Sequence, residues 1–495
     1  MKYLLTTLAL SSLGLAQAQK RPNIIWIFSD DHSYQTIGAY ESRFQYLNPT
    51  PNIDRLANEG MRFDRCYVEN SISAPSRSTL LTGKFSHMHG KTINKKSCLF
   101  DHNQQQFQKI LQKNGYQTAL IGKIHIDGKM QGFDYWEVLP GQGIYYNPTF
   151  ITEKGKKTYK DKYVTEVITE RALNWLDNER HSDEPFMLMV HHKAPHRNWE
   201  PDKKYMNKYK DEVFPEPDNL FDDYKTKTKT VTDNGLRISD GMNLDIDLKV
   251  TGEKYANDPK FAERRRAFAE AKLQGDELTR WKYQTYLRDY LRCIWSVDKS
   301  VGAILDWVEK NGLDENTIIM YSSDQGFYMG EHGWFDKRMM YEESFRTPLL
   351  ARWKGTIKEG SINTDLVQNI DFAETFLELA NAEIPKDEMQ GRSLVPLLKG
   401  NTPKDWRTSL YYHYYEYPGY HSVRKQEGVF TKEYKLIRFY GEDLSDGEDW
   451  EYYDLRKDPN EMNNIYDSPK EKKRIMTLKN EMQKLRIHYK VPQQI

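Results

Sequence analysis

Two short acidic runs have the residue types for chemistry: Asp30-Asp31 and Asp324-Gln325-Gly326. Each follows an apolar, β-rich stretch, NIIWIFS at 23–29 and TIIMYS at 317–322, that reads as a buried strand. Open α/β sheets place ligands at the carboxyl ends of strands. Carboxylate and amide oxygens there suit a hard divalent cation, Ca2+ or Mg2+. Asp is also frequent in loops and turns, so neither run is diagnostic alone. Between them lies Ser73-Ala74-Pro75-Ser76-Arg77-Ser78-Thr79-Leu80-Leu81-Thr82-Gly83. An early Pro75 and the run that follows predict a helix with Ser73 at its N-terminus. That position favours an anion, and Arg77 adds a fixed cation nearby. Taken alone, the residues favour a plain capped helix, with Ser73 or Ser76 as its N-cap.

The spacing Ser73-x-Pro75-Ser76-Arg77-x-x-x-x-Thr82-Gly83 resembles the signature of the formylglycine-dependent sulfatases, within the alkaline phosphatase-like superfamily. In that family the first residue, Cys or Ser, is oxidised to formylglycine. Ser73 makes the chain similar to the serine-type bacterial enzymes. Further segments match in family order: Asp30-Asp31, Pro51-Asn52-Ile53-Asp54, Gly122-Lys123-x-His125, Ala194-Pro195-His196, Ser323-Asp324-Gln325-Gly326, and Lys337 followed by Tyr341-Glu342. The resemblance spans roughly residues 21–398.

The resemblance implies a site. Asp30, Asp31, Asp324 and Gln325, with Ser73, would hold Ca2+, which lowers the nucleophile's pKa and neutralises sulfate oxygens. Hydrated formylglycine at position 73 would attack sulfur. Lys123 and Lys337 would clamp the sulfate charge, and Arg77 would orient the formylglycine and the metal ligands. His196 would protonate the departing sugar oxygen, and His125 would assist sulfate release. Tyr145-Tyr146-Asn147, Ala194-Pro195-His196 and Asp336-Lys337-Arg338 resemble the N-acetylglucosamine-6-sulfatase branch, as does the spacing to the C-terminal region. The implied substrate is a 6-O-sulfated N-acetylglucosamine of glycosaminoglycan (heparan sulfate, for example) or mucin glycans. His332, His421 and Arg424 are candidate sugar contacts. The implied partners are that glycan and a formylglycine-generating maturation enzyme. Three alternatives remain: a sulfatase for another sugar position, a phosphoester hydrolase of the same superfamily, and a non-catalytic sulfated-glycan-binding protein with unmodified Ser73.

These residues need a scaffold. Strands at 23–29, 116–121, 185–191 and 317–322 alternate with amphipathic stretches at 51–60, 106–114, 162–180, 279–311 and 372–380. The alternation predicts an α/β fold, a large mostly parallel sheet sandwiched by helices. From residue 389 short strand-like segments and a charged helical stretch at 470–488 predict a smaller α+β C-terminal domain. The expected division is 1–18 signal peptide, 19–388 catalytic domain with a polar insertion at 201–272, and 389–495 small domain. Residues 1–18 combine Lys2, a short apolar run and Ala16-Gln17-Ala18, which predicts a cleaved leader and a periplasmic or secreted protein.

Of 495 residues, Lys+Arg and Asp+Glu number 72 each, so the formal net charge is zero. That argues against a nucleic-acid partner, which calls for a basic excess. No apolar stretch reaches the ~20 residues of a membrane span. Three scattered cysteines allow one disulfide at most and form no CxxC metal or redox motif.

Overall fold

The computed structural model describes residues 21–441, 444 and 447–493. The predicted leader at 1–18 lies outside the described residues. Ten strands form the large sheet, in the order Ser361–Asn363, Met61–Phe63, Leu349–Arg352, Thr317–Ser323, Asn23–Ser29, Phe186–His191, Gln117–Lys123, Tyr135–Leu139, Thr149–Thr152 and Gly155–Thr158. The central strands run parallel and are buried along their whole length. Apolar clusters cover both faces, which is why these strands read as unbroken apolar runs. The expectation of a mostly parallel sheet holds for this centre. Leu349–Arg352 and the pair Thr149–Thr152 and Gly155–Thr158 add antiparallel pairings, so the whole sheet is mixed.

Register decides where the chemistry emerges. Asn23 pairs with Thr317 and Ser29 with Ser323, so the two strands end level. Asp30-Asp31 and Asp324-Gln325 therefore leave the sheet side by side. Phe28 and Gly122 both face His191 across the parallel pairings, which brings Lys123 and the 192–196 run to the same edge.

The helix Ser73–Thr82 is buried along its full length. Its N-cap is Ile72, with no side-chain cap bond, so neither Ser73 nor Ser76 serves as the expected cap. Ser73 is the first helical residue and is released from capping duty. The helix stops at Gly83, whose left-handed φ of 64° lets its N–H reach the Thr79 carbonyl at 2.8 Å. The 36-residue helix Gly275–Lys310 spans ~54 Å along the sheet. Its Asp298 accepts from the amides of Asn52 and Ile53 at 2.8 and 2.9 Å, which ties down the start of the short helix Ile53–Asn58.

Beyond the large sheet, Ser409–Tyr414, Gln426–Thr431, Tyr434–Tyr440 and Glu448–Asp454 form a separate antiparallel sheet. The helix Lys472–His488 packs on it. Cys66, Cys98 and Cys293 are free thiols, so the disulfide that the count allowed is not formed. Among the described residues no helix is long and apolar enough to cross a membrane.

Candidate active site

The metal candidates converge. The Asp31 amide donates to Asp324 Oδ1 at 3.0 Å, and Gln325 Nε2 reaches Asp324 Oδ1 at 2.9 Å and also contacts Asp31 Oδ1. Asp30, Asp31, Asp324 and Gln325 are all fully buried. Ser73 Oγ lies 3.3 Å from Asp30 Oδ1, so the first residue of the helix opens onto the carboxylates. Two buried oxygens, Asp31 Oδ2 and Gln325 Oε1, have no hydrogen-bond partner. Buried polar atoms are rarely left so, and an all-oxygen set with spare lone pairs fits a hard cation. Burial pushes the Asp31 carboxyl upward, with Asp324 adding to the effect against Lys337. At Asp324 the upward push of burial is outweighed by Arg77, Lys337 and Lys123.

Cations ring the carboxylates. Lys123 Nζ contacts Asp30 Oδ2 and Gln142 Oε1, and Lys337 Nζ contacts Asp31 Oδ1. Arg77 donates from Nε to Asp324 Oδ2 at 3.2 Å and from Nη1 to the Lys123 carbonyl at 2.6 Å. Its Nη2 lies 3.5 Å from Asp30 Oδ1. One guanidinium thus ties both acidic runs to the Lys123 strand end. Burial, reinforced by Lys193, lowers the Lys123 ammonium well below its usual range.

His196 places Nε2 3.8 Å from Asp31 Oδ2, and its Nδ1 contacts the Arg197 carbonyl. A carbonyl only accepts, so Nδ1 carries the proton and Nε2 is left toward the site. Burial and then Lys123 and Lys193 lower the imidazole well below its usual pKa, so it is neutral. His125 is lowered well below too, by burial and then Lys123 and Arg77. Its Nδ1 is buried without a partner. His191 and His192 are buried at the end of the central strand Phe186–His191.

A cavity of about 430 Å3 opens in front of His196 and Lys337, within the usual range for small-ligand sites. Its wall includes Asn94, Gln142, Ile144, Tyr145, Lys193, Arg197, Asn198, Glu200, Asp336, Arg338, Glu416 and Tyr420. The polar insertion at 201–272 also takes part: Ile246 and Lys254 line the cavity. Its Asp247 accepts from Arg197 Nε and Nη2 at 2.7 and 2.6 Å and from Asn198 Nδ2 at 2.7 Å. A larger groove, about 590 Å3, runs beside Arg392 and Tyr489 but holds none of these groups.

The three candidate sugar contacts separate. His421 donates from Nδ1 to the Gly235 carbonyl at 2.8 Å, which leaves Nε2 to accept from Arg197 Nη1 at 3.2 Å, so it braces a cavity residue from behind. His332 is buried away from the cavity. Its backbone turns left-handed (φ 55°) and its Nδ1 meets Asp222 at 2.9 Å, with its ring against Trp334 and Tyr341. Arg424 sits over the Tyr417 ring, 4.2 Å from its centroid, and does not line the cavity. Sequence reasoning missed Lys193, Arg197, Asn198, Glu200 and Gln142. Four of these five lie in the run that contains His196, just past the end of Phe186–His191, where a strand end could have flagged them.

A family description, "Sulfatase", matches residues 22–382, and a second, "N-sulphoglucosamine sulphohydrolase, C-terminal", matches 330–488. The chain is 45% identical to the N-acetylglucosamine-6-O-sulfatase of Bacteroides thetaiotaomicron, over 97% of this chain and 90% of the relative. A solved structure of a protein in complex with its substrate, D-glucosamine-2-N,6-O-disulfate, superposes with a TM-score of 0.90 at 43% identity, covering 96% of this chain and 99% of the other. A phosphonate monoester hydrolase of Silicibacter pomeroyi shares the fold, with a TM-score of 0.73 at 17% identity over 94% of this chain and 96% of that one.

Proposed function

This chain belongs to the sulfatase family, and from that premise we propose that it hydrolyses the 6-O-sulfate of N-acetylglucosamine or N-sulfated glucosamine in glycosaminoglycan or mucin glycans. The observation that carries the reading is the meeting of Ser73 with the buried Asp30, Asp31, Asp324 and Gln325 and the flanking Lys123 and Lys337. The names of the relatives at 45% and 43% identity support the sugar and the position. The phosphoester alternative rests on a likeness of fold alone.

The unpartnered oxygens of Asp31 and Gln325 fit Ca2+, held with Asp30, Asp324 and residue 73. Bound there, Ca2+ would lower the pKa of the residue-73 nucleophile, the formylglycine made from Ser73, and neutralise sulfate charge. Lys123 and Lys337 hold the negative sulfate oxygens, and Arg77 fixes the carboxylates around them. His196 is neutral in the free site. A bound sulfate ester brings the negative charge that favours its protonated form, which then hands a proton to the departing sugar oxygen. His125 accepts a proton on the other side of the reaction. Asp336 and Arg338, paired with each other and held by Tyr412, whose hydroxyl donates to the Arg338 carbonyl at 2.6 Å, present an acceptor and a donor to sugar hydroxyls. Residues 19–388 thus carry the chemistry, and 389–495 support and partly line the cavity. The leader pattern in 1–18 supports export to the periplasm or beyond.

The test is mass spectrometry of the peptide containing residue 73, paired with sulfate release from N-acetylglucosamine-6-sulfate. Formylglycine-bearing protein should turn over, and Ser73→Ala should lose ~10⁴-fold or more while keeping its fold. Near-wild-type turnover in Ser73→Ala would end this reading. Unmodified Ser73 in protein from the native host would favour the glycan-binding alternative.

A further inference from the structure

The cations around the cavity are almost all spoken for. Lys337 contacts Asp31, Arg338 contacts Asp336, Arg197 is paired with Asp247, and Lys254 Nζ lies 3.7 Å from Glu200. Lys193 is the exception. Its side chain lines the cavity, yet the residue is only 3% exposed. Among the described residues it has no carboxylate within 4.0 Å and its ammonium makes no hydrogen bond. Its contact is the face of Tyr145, with Nζ 4.7 Å from the ring centroid. Tyr145 is itself fixed, 3% exposed, its hydroxyl donating to the His196 carbonyl at 2.6 Å. A buried ammonium lacking an anion is costly, and a rigid aromatic platform holds it in one place. Burial lowers this ammonium to about 8, which leaves it largely charged at neutral pH.

The scissile sulfate already has Lys123 and Lys337, both anchored to the carboxylates of the metal nest. Lys193 is bound to none of these, but it starts the turn that ends at His196, whose amide donates to the Lys193 carbonyl at 3.0 Å. On the 6-O-sulfatase reading the sugar that bears the scissile group would occupy this cavity, whose wall Lys193 shares with Glu200 and Lys254. We propose that Lys193, seated on Tyr145, receives a second anionic substituent of that same sugar, of the N-sulfate class. The proposal rests on the 6-O-sulfatase reading above and makes the enzyme a reader of doubly sulfated glucosamine.

The test compares kcat/KM on 2-N,6-O-disulfated glucosamine and on 6-O-sulfated N-acetylglucosamine for wild type, Lys193→Met and Lys193→Arg. Lys193→Met should lower the disulfate-to-acetyl ratio by ~10–10²-fold, the range of a lost charge-assisted hydrogen bond. Lys193→Arg should restore most of that ratio. An unchanged ratio, whether both rates fall together or neither falls, would overturn the proposal. So would a loss seen only on a disaccharide carrying a neighbouring uronate carboxylate, because the receptor would then face the next sugar. If wild type releases sulfate from neither sugar, the function itself fails. Lys193 is then judged by calorimetric affinity for 2-N-sulfated glucosamine, and equal affinities of wild type and Lys193→Met would overturn it.

Discussion

Asp289 and Asp31 are both buried carboxylates among cations, and their surroundings differ in one respect. Asp289, in the long helix, accepts from Arg264 Nη1 and Nη2 at 2.7 and 2.6 Å and from Lys249 Nζ at 3.1 Å, with Arg292 at 3.5 Å. Burial would push its carboxyl up, but Arg264 and Lys249 outweigh that and hold it well below the carboxylate range. Neither oxygen is left over. Around Asp31 the chain supplies Lys337 and Gln325, yet Asp31 Oδ2 and Gln325 Oε1 stay unpartnered and the carboxyl is pushed up. The first cluster is completed by the protein and belongs to the fold. The second is left incomplete by the protein, and the proposed function completes it with a cation and an anionic substrate.

Neutralising each carboxylate should separate the two. Asp31→Asn should abolish calcium-dependent stabilisation and cost at least ~10³-fold in turnover, since metal-ion charge stabilisation contributes several kcal/mol. Its calcium-free melting temperature should stay near that of wild type. Asp289→Asn should keep the calcium response and lose ~3–5 kcal/mol of stability, the usual result of stripping one partner from a buried ion pair. Thermal melts with and without calcium, together with sulfate-release rates, check both. An Asp289 variant that melts like wild type, or an Asp31 variant that still responds to calcium, would erase the distinction.

Within the incomplete cluster, His196 and the lysines should also part. Removing His196 should slow hydrolysis of the sugar 6-sulfate by the ~10²–10⁴-fold typical of general acid–base catalysis. It should slow an activated aryl sulfate much less, because a nitrophenolate leaves without a proton. In the proposed mechanism Lys123 and Lys337 act on the sulfate, so their loss should harm both substrates alike. Equal losses on both substrates for His196→Ala would remove it from the acid role.

Much of this was legible in the sequence because it depends on local pattern. The four central strands are buried along their whole length and mostly apolar since apolar clusters cover both faces, and the signature helix is set by Pro75 and Gly83. Edge strands such as Gly155–Thr158 are short and fully exposed, so no periodicity marks them. The cavity wall was hidden because it depends on contacts distant in sequence. Arg197 is positioned by Asp247 in a weakly periodic insertion, and only the fold brings the two together. His332 misleads for the opposite reason. It is close to Lys337 in sequence, but a left-handed turn directs it to Asp222.

The smallest expected effect lies under the signature helix. Glu69 accepts from the hydroxyls of Thr79 and Ser86 at 2.8 and 2.6 Å, and burial pushes its carboxyl up to about 7. A raised carboxyl pKa binds its proton more tightly in the folded state. Its stabilising contribution is full below the unfolded value near 4.5 and is lost as pH rises through about 7. Glu69→Gln should therefore gain stability over wild type between pH 5 and pH 8, by on the order of 1–3 kcal/mol. Melting curves at the two pH values test this, and a constant difference would refute it.

The central claim is that the incomplete cluster cleaves a sulfate ester at one position of one sugar. Its most direct test is sulfate release by formylglycine-bearing, calcium-loaded protein from the 3-O-, 4-O- and 6-O-sulfated isomers of N-acetylglucosamine. The account predicts rapid release from the 6-O isomer and release at least ~10²-fold slower from the other two. Comparable rates on all three isomers, or no release from the 6-O isomer with formylglycine present, would contradict it.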